Sequence, residues 1–352
     1  MKRLIILADS NSIHTKKWVQ ILGEKFEVHL ISFSQTKIEG IKNYNISSKK
    51  INPKGNNFFY LFKIFKIRSL LKKIKPDIIN AHYLTSFGLV AALVKPVNTP
   101  LIQTVHGTDI MVTPDKNFIL DFFAKFSLNK AHHIFSVAEH MTDKLKLKFG
   151  IDSSKITTIQ YGVNFSQIRE KTKSHKKIDF ISTRNLIHNS NINIIIKAFE
   201  MFLDKCNMKS KLLIVGEGYQ KNELMDYVKQ KGLEANIIFK GELQHSELIE
   251  VLVQSKFFIS LTNSDGTSLS LLEAMAAGAI PIVSKIQANT MWIEHEKNGY
   301  VSEISIEDLF QIMRKIKYDK NFVSINHKII TEKGDFDVNR IKIQNIFNQY
   351  VD

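Results

Sequence analysis

The feature that most narrows the fold is a rhythm of short, mainly apolar runs separated by stretches with helical spacing. In the first half the runs are "RLIILA" (3–8), "EVHLISF" (27–33), "DIINAH" (77–82), "PLIQTVHG" (100–107), "HIFSVA" (133–138) and "TTIQYGVN" (157–164). Helical patterns such as "HTKKWVQILGEKF" (14–26) and "SFGLVAALVK" (86–95) lie between them. A strand that is apolar on both faces must be covered on both, which predicts a parallel sheet flanked by helices. A lysine-rich stretch, "REKTKSHKK" (169–177), interrupts the pattern and marks a domain junction. The rhythm then resumes with "IDFISTR" (178–184), "KLLIVGEG" (211–218), "NIIFKGEL" (236–243), "FFISLTN" (257–263) and "IPIVS" (280–284), again alternating with helical periods. With 352 residues, the chain exceeds what one hydrophobic core usually serves. The expected fold class is therefore α/β, two doubly wound Rossmann-like domains facing a central cleft. The expected limits are 1–165 and 166–330, with a helix over 331–352. Ligands of such sheets bind beyond the carboxyl ends of the strands.

Charge is unevenly placed. The formal net charge is +15; residues 1–165 carry 24 Lys+Arg against 11 Asp+Glu, whereas 166–352 carry 25 against 23. The first half is thus the one suited to an anionic partner. Lys49–Lys75 holds nine basic residues and no acid, interleaved with Phe58, Phe59, Tyr60, Phe62 and Phe65. Such a stretch fits an anionic membrane surface, each base contributing about 1 kcal/mol. The alternative is a surface helix whose aromatics pack inward. No helix-turn-helix, zinc-finger or RNA-recognition signature accompanies the charge, so no nucleic-acid partner is expected. The single cysteine, Cys206, precludes an internal disulfide and fits a reducing cytoplasm. "MKRLIILADS" reads as a first strand rather than a signal peptide. "FGLVAALV" falls far short of the roughly 20 residues needed to span a bilayer. A soluble cytoplasmic protein is expected, peripheral on the inner face of the membrane if the basic stretch binds lipid.

The densest chemistry lies in "SDGTSLSLLEAMAAGAIPIVS" (264–284), where a strand runs into a glycine turn and a small-residue helix ended by Gly278. Gly266 bends the chain, and backbone N–H groups of Thr267, Ser268 and Leu269 open the helix, an arrangement suited to a diphosphate. Asp265 precedes the turn and Glu273 lies two helical turns on. An N-cap and a surface acid are the plain readings of these two. "VGEGYQ" supplies Gly216 and Gly218 but lacks the third glycine of a dinucleotide fingerprint. "DFD" (335–337) sits in the tail and reads as structural, and with one cysteine and no HExxH-type spacing no metal site is expected.

"DGTSLSLLEAMAAGAIPIVS" resembles the signature of the retaining glycosyltransferases of family four, which have the GT-B fold. The similarity continues, in order, through "TVHGTDI", "LLIVGEGYQKNEL", "IIFKGEL" and an "NGYV" turn at 298–301. The resemblance implies an acceptor-binding first domain, a second domain for the nucleotide sugar and a last helix that returns to the first domain. It implies that Glu273 holds the ribose hydroxyls and that Arg184 neutralises the donor diphosphate. Asp265 stands where relatives usually have Glu, facing the transferred sugar; it is one methylene shorter. Asn189 stands where a lysine is usual, so one cation is missing, and His188 or a nearby lysine is a candidate substitute. The "VGEGYQ" loop implies a border to the nucleotide base.

In the first domain the resemblance places His106 against the donor sugar, where a lone histidine would otherwise read as structural. Asp109, two residues past Gly107, joins the acceptor-side candidates, as do His82 and Tyr83 of "AHYLTSFG". The first loop, "ADSNSIHTKKW" (8–18), lacks the glycines many relatives have there, leaving Asp9, Asn11 and His14 to make contacts or to cap the next helix.

The combined reading is a metal-independent retaining glycosyltransferase using a nucleotide-diphosphate sugar, UDP-linked in the first instance, as co-substrate and needing no other cofactor. The acceptor is expected to be a glycan or lipid-linked glycan of the bacterial envelope, such as lipopolysaccharide. Two alternatives stand beside it: a nucleotide-sugar-binding protein with impaired catalysis, prompted by Asp265 and Asn189, and a nucleotide-sugar epimerase of the same fold.

Overall fold

The computed structural model describes residues 1–46, 62–172, 175–206, 209–266 and 268–351. They divide into two compact units, Met1–Tyr161 with Asp337–Asp352, and Gly162–Phe336.

The first unit is built on seven strands: β1 (Arg3–Leu7), β2 (Glu27–Ser32), β3 (Lys42–Asn45), β4 (Ile78–His82), β5 (Leu101–Val105), β6 (His133–Ser136) and β7 (Ile156–Thr158). Their order is β3-β2-β1-β4-β5-β6-β7 and every pairing is parallel. The central strands β4 and β5 are buried at every position, as a sheet covered on both faces requires. The edge strand β3 was not foreseen. Its sequence, KNYN, has no apolar run because only one side of it is paired and its residues are half-buried or exposed.

The Phe336–Asn348 helix contributes all but its first residue to this unit. Phe347 is fully buried, stacked on Phe135 with ring centroids 5.8 Å apart and touching Trp18 and Phe26. Ile343 is also fully buried. Each such side chain stabilises the packing by about 1.5–3 kcal/mol. Polar contacts set the helix's register: Gln344 Nε2 donates to Ile21 O at 2.6 Å, Asn339 Nδ2 to Gln160 O at 2.8 Å, and Arg340 pairs with Glu24.

The second unit has six parallel strands: β8 (Ile178–Ser182), β9 (Leu212–Val215), β10 (Ile237–Gly241), β11 (Ser255–Ser260), β12 (Ile280–Ser284) and β13 (Tyr300–Ser302). The order β10-β9-β8-β11-β12-β13 is the doubly wound arrangement, in which strand order reverses between β8 and β11. The "NGYV" stretch, expected as a turn, also begins β13, which pairs with β12 through Ile282 and Tyr300. Gly299 allows this: a Cβ there would stand 2.8 Å from Pro281 O.

The Leu269–Ala276 helix packs against this sheet through Leu271, Leu272, Ala274, Met275 and Ala276, all buried. Its end is a Schellman motif. Gly278 N–H donates to Met275 O (3.1 Å) and Ala279 N–H to Ala274 O (2.9 Å), with Gly278 at φ +71°.

Candidate functional site

In the first unit the residues singled out in the sequence gather at the carboxyl ends of β1, β4 and β5, where the strand order reverses. Asn80 in β4 organises them. Its Nδ2 donates to Ile102 O (3.1 Å) and Thr104 Oγ1 (3.0 Å), and since a carbonyl only accepts, Oδ1 must face His82. His82 Nε2 therefore carries the proton it gives to Asn80 Oδ1 at 2.9 Å, leaving Nδ1 as an acceptor. His106 Nε2 lies 3.2 Å from that Nδ1 and is the donor. A neutral His106 then bears its lone pair on Nδ1, a buried atom without a hydrogen-bond partner. Burial holds both rings neutral: His82 is pulled down to about 3, and His106 well below the usual imidazole range, assisted by the His82 and His14 rings.

His14 and Tyr83 flank this pair. The His14 ring lies 5.0 Å from that of His106, and its Nδ1 is 3.0 Å from Tyr161 OH. The Tyr83 ring lies 4.8 Å from His106 on another side. Burial raises the Tyr83 phenol above its ordinary value, so it stays protonated. Tyr83 has φ +64°, a costly conformation for a non-glycine residue, of order 1–3 kcal/mol. Its N–H bonded to Thr104 O (3.1 Å) and its carbonyl accepting from Gly88 N–H (2.9 Å) hold it there.

Asp109 is buried but its carboxylate is taken up by backbone. It accepts N–H groups of His106 (3.0 Å), Gly107 (2.9 Å) and Leu84 (3.3 Å), binding the β5 loop to the segment after β4. It positions His106. Asp9 likewise accepts from Ser34 Oγ and from Asn11 N–H (3.0 Å), and the exposed Asn11 accepts from Thr36 Oγ1. Neither caps the Ile13–Gly23 helix, whose N-cap is Ser12.

In the second unit the centre is Arg184, in the loop after β8. Nη1 donates to Ser268 Oγ (2.8 Å) and Ser270 Oγ (3.2 Å), and Nη2 pairs with Asp265 Oδ2 at 2.9 Å. Both charged side chains are 18% exposed. Ser268 is the N-cap of the Leu269–Ala276 helix and accepts from Leu271 N–H at 3.3 Å. Asp265 Oδ1 accepts from Gly266 N–H at 2.8 Å. A guanidinium is thus held at the positive end of a helix whose first turn carries N–H groups without intrahelical partners. Thr267 lies outside the described residues.

Asn189 does not extend a group toward this centre. Its amide joins the β8 and β11 loops, Nδ2 donating to Ser264 O (3.0 Å) and Oδ1 accepting from Ser264 Oγ (3.2 Å). His188 Nδ1 accepts from Gln220 Nε2 (2.8 Å), with the Tyr219 ring edge-on at 5.3 Å. Gly216 and Gly218 are required by packing of the protein on itself. A Cβ would stand 2.6 Å from Arg184 O and 2.2 Å from Leu186 O respectively. Glu273 is little exposed and pairs with His245 Nε2 at 2.8 Å. Leu269 opens the helix and is half-buried.

Sequence reasoning missed Asn80, Tyr161, Ser270, Tyr219, Gln220 and His245. The residue types were visible, but each has a partner at least 22 positions away in the chain, and no local pattern encodes that. "DFD" contributes to neither group: Asp335 forms a bridge with Val163 and Asp337 faces Arg340. Among the described residues no three His, Cys, Asp or Glu side chains converge as a metal site would require.

An all-parallel sheet with a cation and a helix start at its reversal point defines a doubly wound α/β protein whose strand ends suit an anion. Two family profiles specify it further: glycosyl transferase 4-like over residues 3–138 and glycosyl transferases group 1 over residues 164–332. The chain belongs to the group 1 glycosyltransferases and has the GT-B fold. It is 22% identical over 316 residues to an uncharacterized glycosyltransferase, MJ1607, of Methanocaldococcus jannaschii, covering 82% of this chain and 80% of the relative. It is 24% identical over 308 residues to the UDP-Gal:alpha-D-GlcNAc-diphosphoundecaprenol alpha-1,3-galactosyltransferase of Escherichia coli, covering 81% and 78%. Anabaena Alr3699/HepE, whose crystal structure is a complex with UDP, superposes with a TM-score of 0.77 at 13% identity over 99% of this chain and 100% of that one.

Proposed function

We propose that this glycosyltransferase moves a sugar from a nucleotide-diphosphate sugar, a UDP-sugar in the first instance, to a glycan or lipid-linked glycan acceptor of the bacterial envelope, with retention and without a metal. The observation that carries the reading is the Arg184 cluster at the start of the Leu269–Ala276 helix. Breaking a glycosidic bond to a diphosphate makes the sugar oxocarbenium-like and puts negative charge on the departing phosphate. Preorganised donors aimed at that charge are what lowers the barrier. Arg184 and the helix N-terminus supply them, Glu273 takes the ribose, and Asp265 faces the sugar hydroxyls. Gly216, Gly218 and Asn189 shape the loops around the base and phosphates. In the first unit, His106 stands against the sugar, its ring held by His82 with Asn80 behind it. The leaving diphosphate takes the acceptor proton on the same face.

The E. coli relative's name specifies a UDP-sugar and a diphosphoundecaprenol-linked acceptor, which supports this choice of substrates. A lipid-linked acceptor also fits the basic surface. The Ile64–Ile74 helix buries Ile67, Leu71 and Ile74 and exposes Lys66, Arg68, Lys72 and Lys73. Phe62 and Phe65 are 85% and 80% exposed, so these two do not pack inward. The earlier part of the basic stretch, with Phe58, Phe59 and Tyr60, lies outside the described residues. Among the described residues no helix is long and apolar enough to cross a membrane. We place the protein on the cytoplasmic face, held by charge and aromatic side chains.

The deciding experiment is incubation with UDP-, GDP- and other nucleotide sugars, following nucleotide release and the product anomer. Release with retention and its loss in Arg184→Ala support the proposal; an inverted product or inversion at C2 of the donor overturns it. The Arg184–Asp265 ion pair and the use of the Asn189 amide between loops favour a second reading, nucleotide-sugar binding without turnover. In that case binding is measured and no nucleotide is released.

A further inference from the structure

The second unit carries a cavity of about 480 Å³ at the far end of the same Leu269–Ala276 helix, beside Ala277 and Gly278. The helix has eight residues, so this end lies roughly 12 Å from the Ser268 cap. Four cations line the cavity, Arg169, Lys176, Lys320 and Lys328, and no Asp or Glu does. Some lysines of this unit are paired: Lys171, Lys221, Lys231, Lys256, Lys285 and Lys297 each have a carboxylate within 3.5 Å. Around the cavity, Arg169, Lys176 and Lys320 have none among the described residues. Lys328 has only Glu332, at 4.0 Å.

The walls are organised. Lys176 Nζ is held 3.1 Å from Ala277 O and 5.7 Å from the centre of the Tyr318 ring. Tyr318 OH donates to Gly278 O at 3.0 Å. These two contacts satisfy backbone carbonyls at the helix end, whose partial negative charge would otherwise oppose an anion. Phe165 and Val323 give the cavity an apolar side, and His327 is packed edge-on against Phe165 at 5.1 Å. Burial pulls the Lys176 ammonium down to about 8, so a neighbouring anion would favour its charged form.

We infer that this cavity is a binding site for a phosphomonoester of sugar size, separate from the Arg184 cluster. The cations match a phosphate, the lining Ser324 hydroxyl and the Phe165 and Tyr318 rings match a sugar, and the volume falls within the range of small-molecule sites. The inference does not depend on the donor assignment.

Calorimetric titration with glucose 6-phosphate, with glucose and inorganic phosphate as the comparison probes, tests it. Saturable binding of glucose 6-phosphate is expected. It should weaken about tenfold or more in Lys176→Met and in the surface double variant Lys320→Gln/Lys328→Gln, the scale of one lost charged hydrogen bond. Arg184→Ala should leave it unchanged. Binding that is lost in Arg184→Ala and kept in both other variants would assign the phosphate to the donor centre and overturn the inference. So would an affinity no greater than for glucose, or one indifferent to all the variants. The double variant alters only exposed side chains, so a folding defect in Lys176→Met does not rescue the idea.

Discussion

Arg184 Nη2 and Asp265 Oδ2 lie 2.9 Å apart although 81 residues separate them in the chain. The pair joins the loop after β8 to the loop after β11, on either side of the point where strand order reverses. A diphosphate arriving there must share the guanidinium with the carboxylate. Asp265→Asn removes that competition, so donor affinity is expected to hold or improve by up to about tenfold while turnover falls at least about a hundredfold. Arg184→Ala should lose both. Steady-state KM and kcat for nucleotide release separate the two outcomes, and a normal kcat in Asp265→Asn would remove Asp265 from the chemistry.

Asn80 sets which nitrogen of His82, and through it of His106, carries the proton. Asn80→Leu leaves the buried His82 Nε2–H without its acceptor, which should cost about 1–3 kcal/mol of stability. It should also lower kcat with little change in donor KM. A histidine nitrogen NMR spectrum unchanged in Asn80→Leu would show that the tautomers are set elsewhere.

Acid should weaken the first unit. His82 is pulled down to about 3 and His133 to about 4, both chiefly by burial, against an ordinary value of 6.5. Between those values and 6.5 the unfolded chain binds more protons than the folded one. Stability therefore rises with pH through that window and is flat above it. For His82 alone the loss at pH 5 is about 2 kcal/mol. Urea midpoints at pH 7 and pH 5 measure it, and His82→Gln should narrow the difference.

Gly218→Ala forces a Cβ to within 2.2 Å of Leu186 O, a backbone atom that cannot step aside without moving the Arg184 loop. A destabilisation of about 1–3 kcal/mol is expected, with weaker donor binding. Thermal melts and donor titration report the two effects. A variant with wild-type values for both would mean that the loop relaxes freely.

Replacing Lys63, Lys66, Arg68 and Lys72 with Gln should reduce sedimentation with anionic liposomes, the wild-type binding weakening as salt rises. Phe62→Ser/Phe65→Ser should reduce it at any salt. Retention unaffected by either set would remove the lipid surface from the proposal.

The strands β1, β4, β8 and β12 were readable because a sheet covered on both faces leaves short, mainly apolar runs. The helix ending at Gly278 was readable because a left-handed residue at a helix end is nearly always glycine. β3 was not, since a polar edge strand carries no such run. At the candidate sites the chain showed that His82, His106, Arg184 and Asp265 stand at strand ends. It did not show that Asp109 is taken up by three backbone N–H groups, or that Asn189 joins two loops.

Local sequence thus determined the fold class, because hydrophobic period and turn chemistry act over a few residues and leave a mark in the chain. The pairings that decide the chemistry arise only when strands distant in sequence become neighbours. Asn80 with His82 and His106, Arg184 with Asp265, and the cations beside Gly278 are such pairings. Their energies depend on burial and on distances of about 3 Å, which the order of residues alone does not specify.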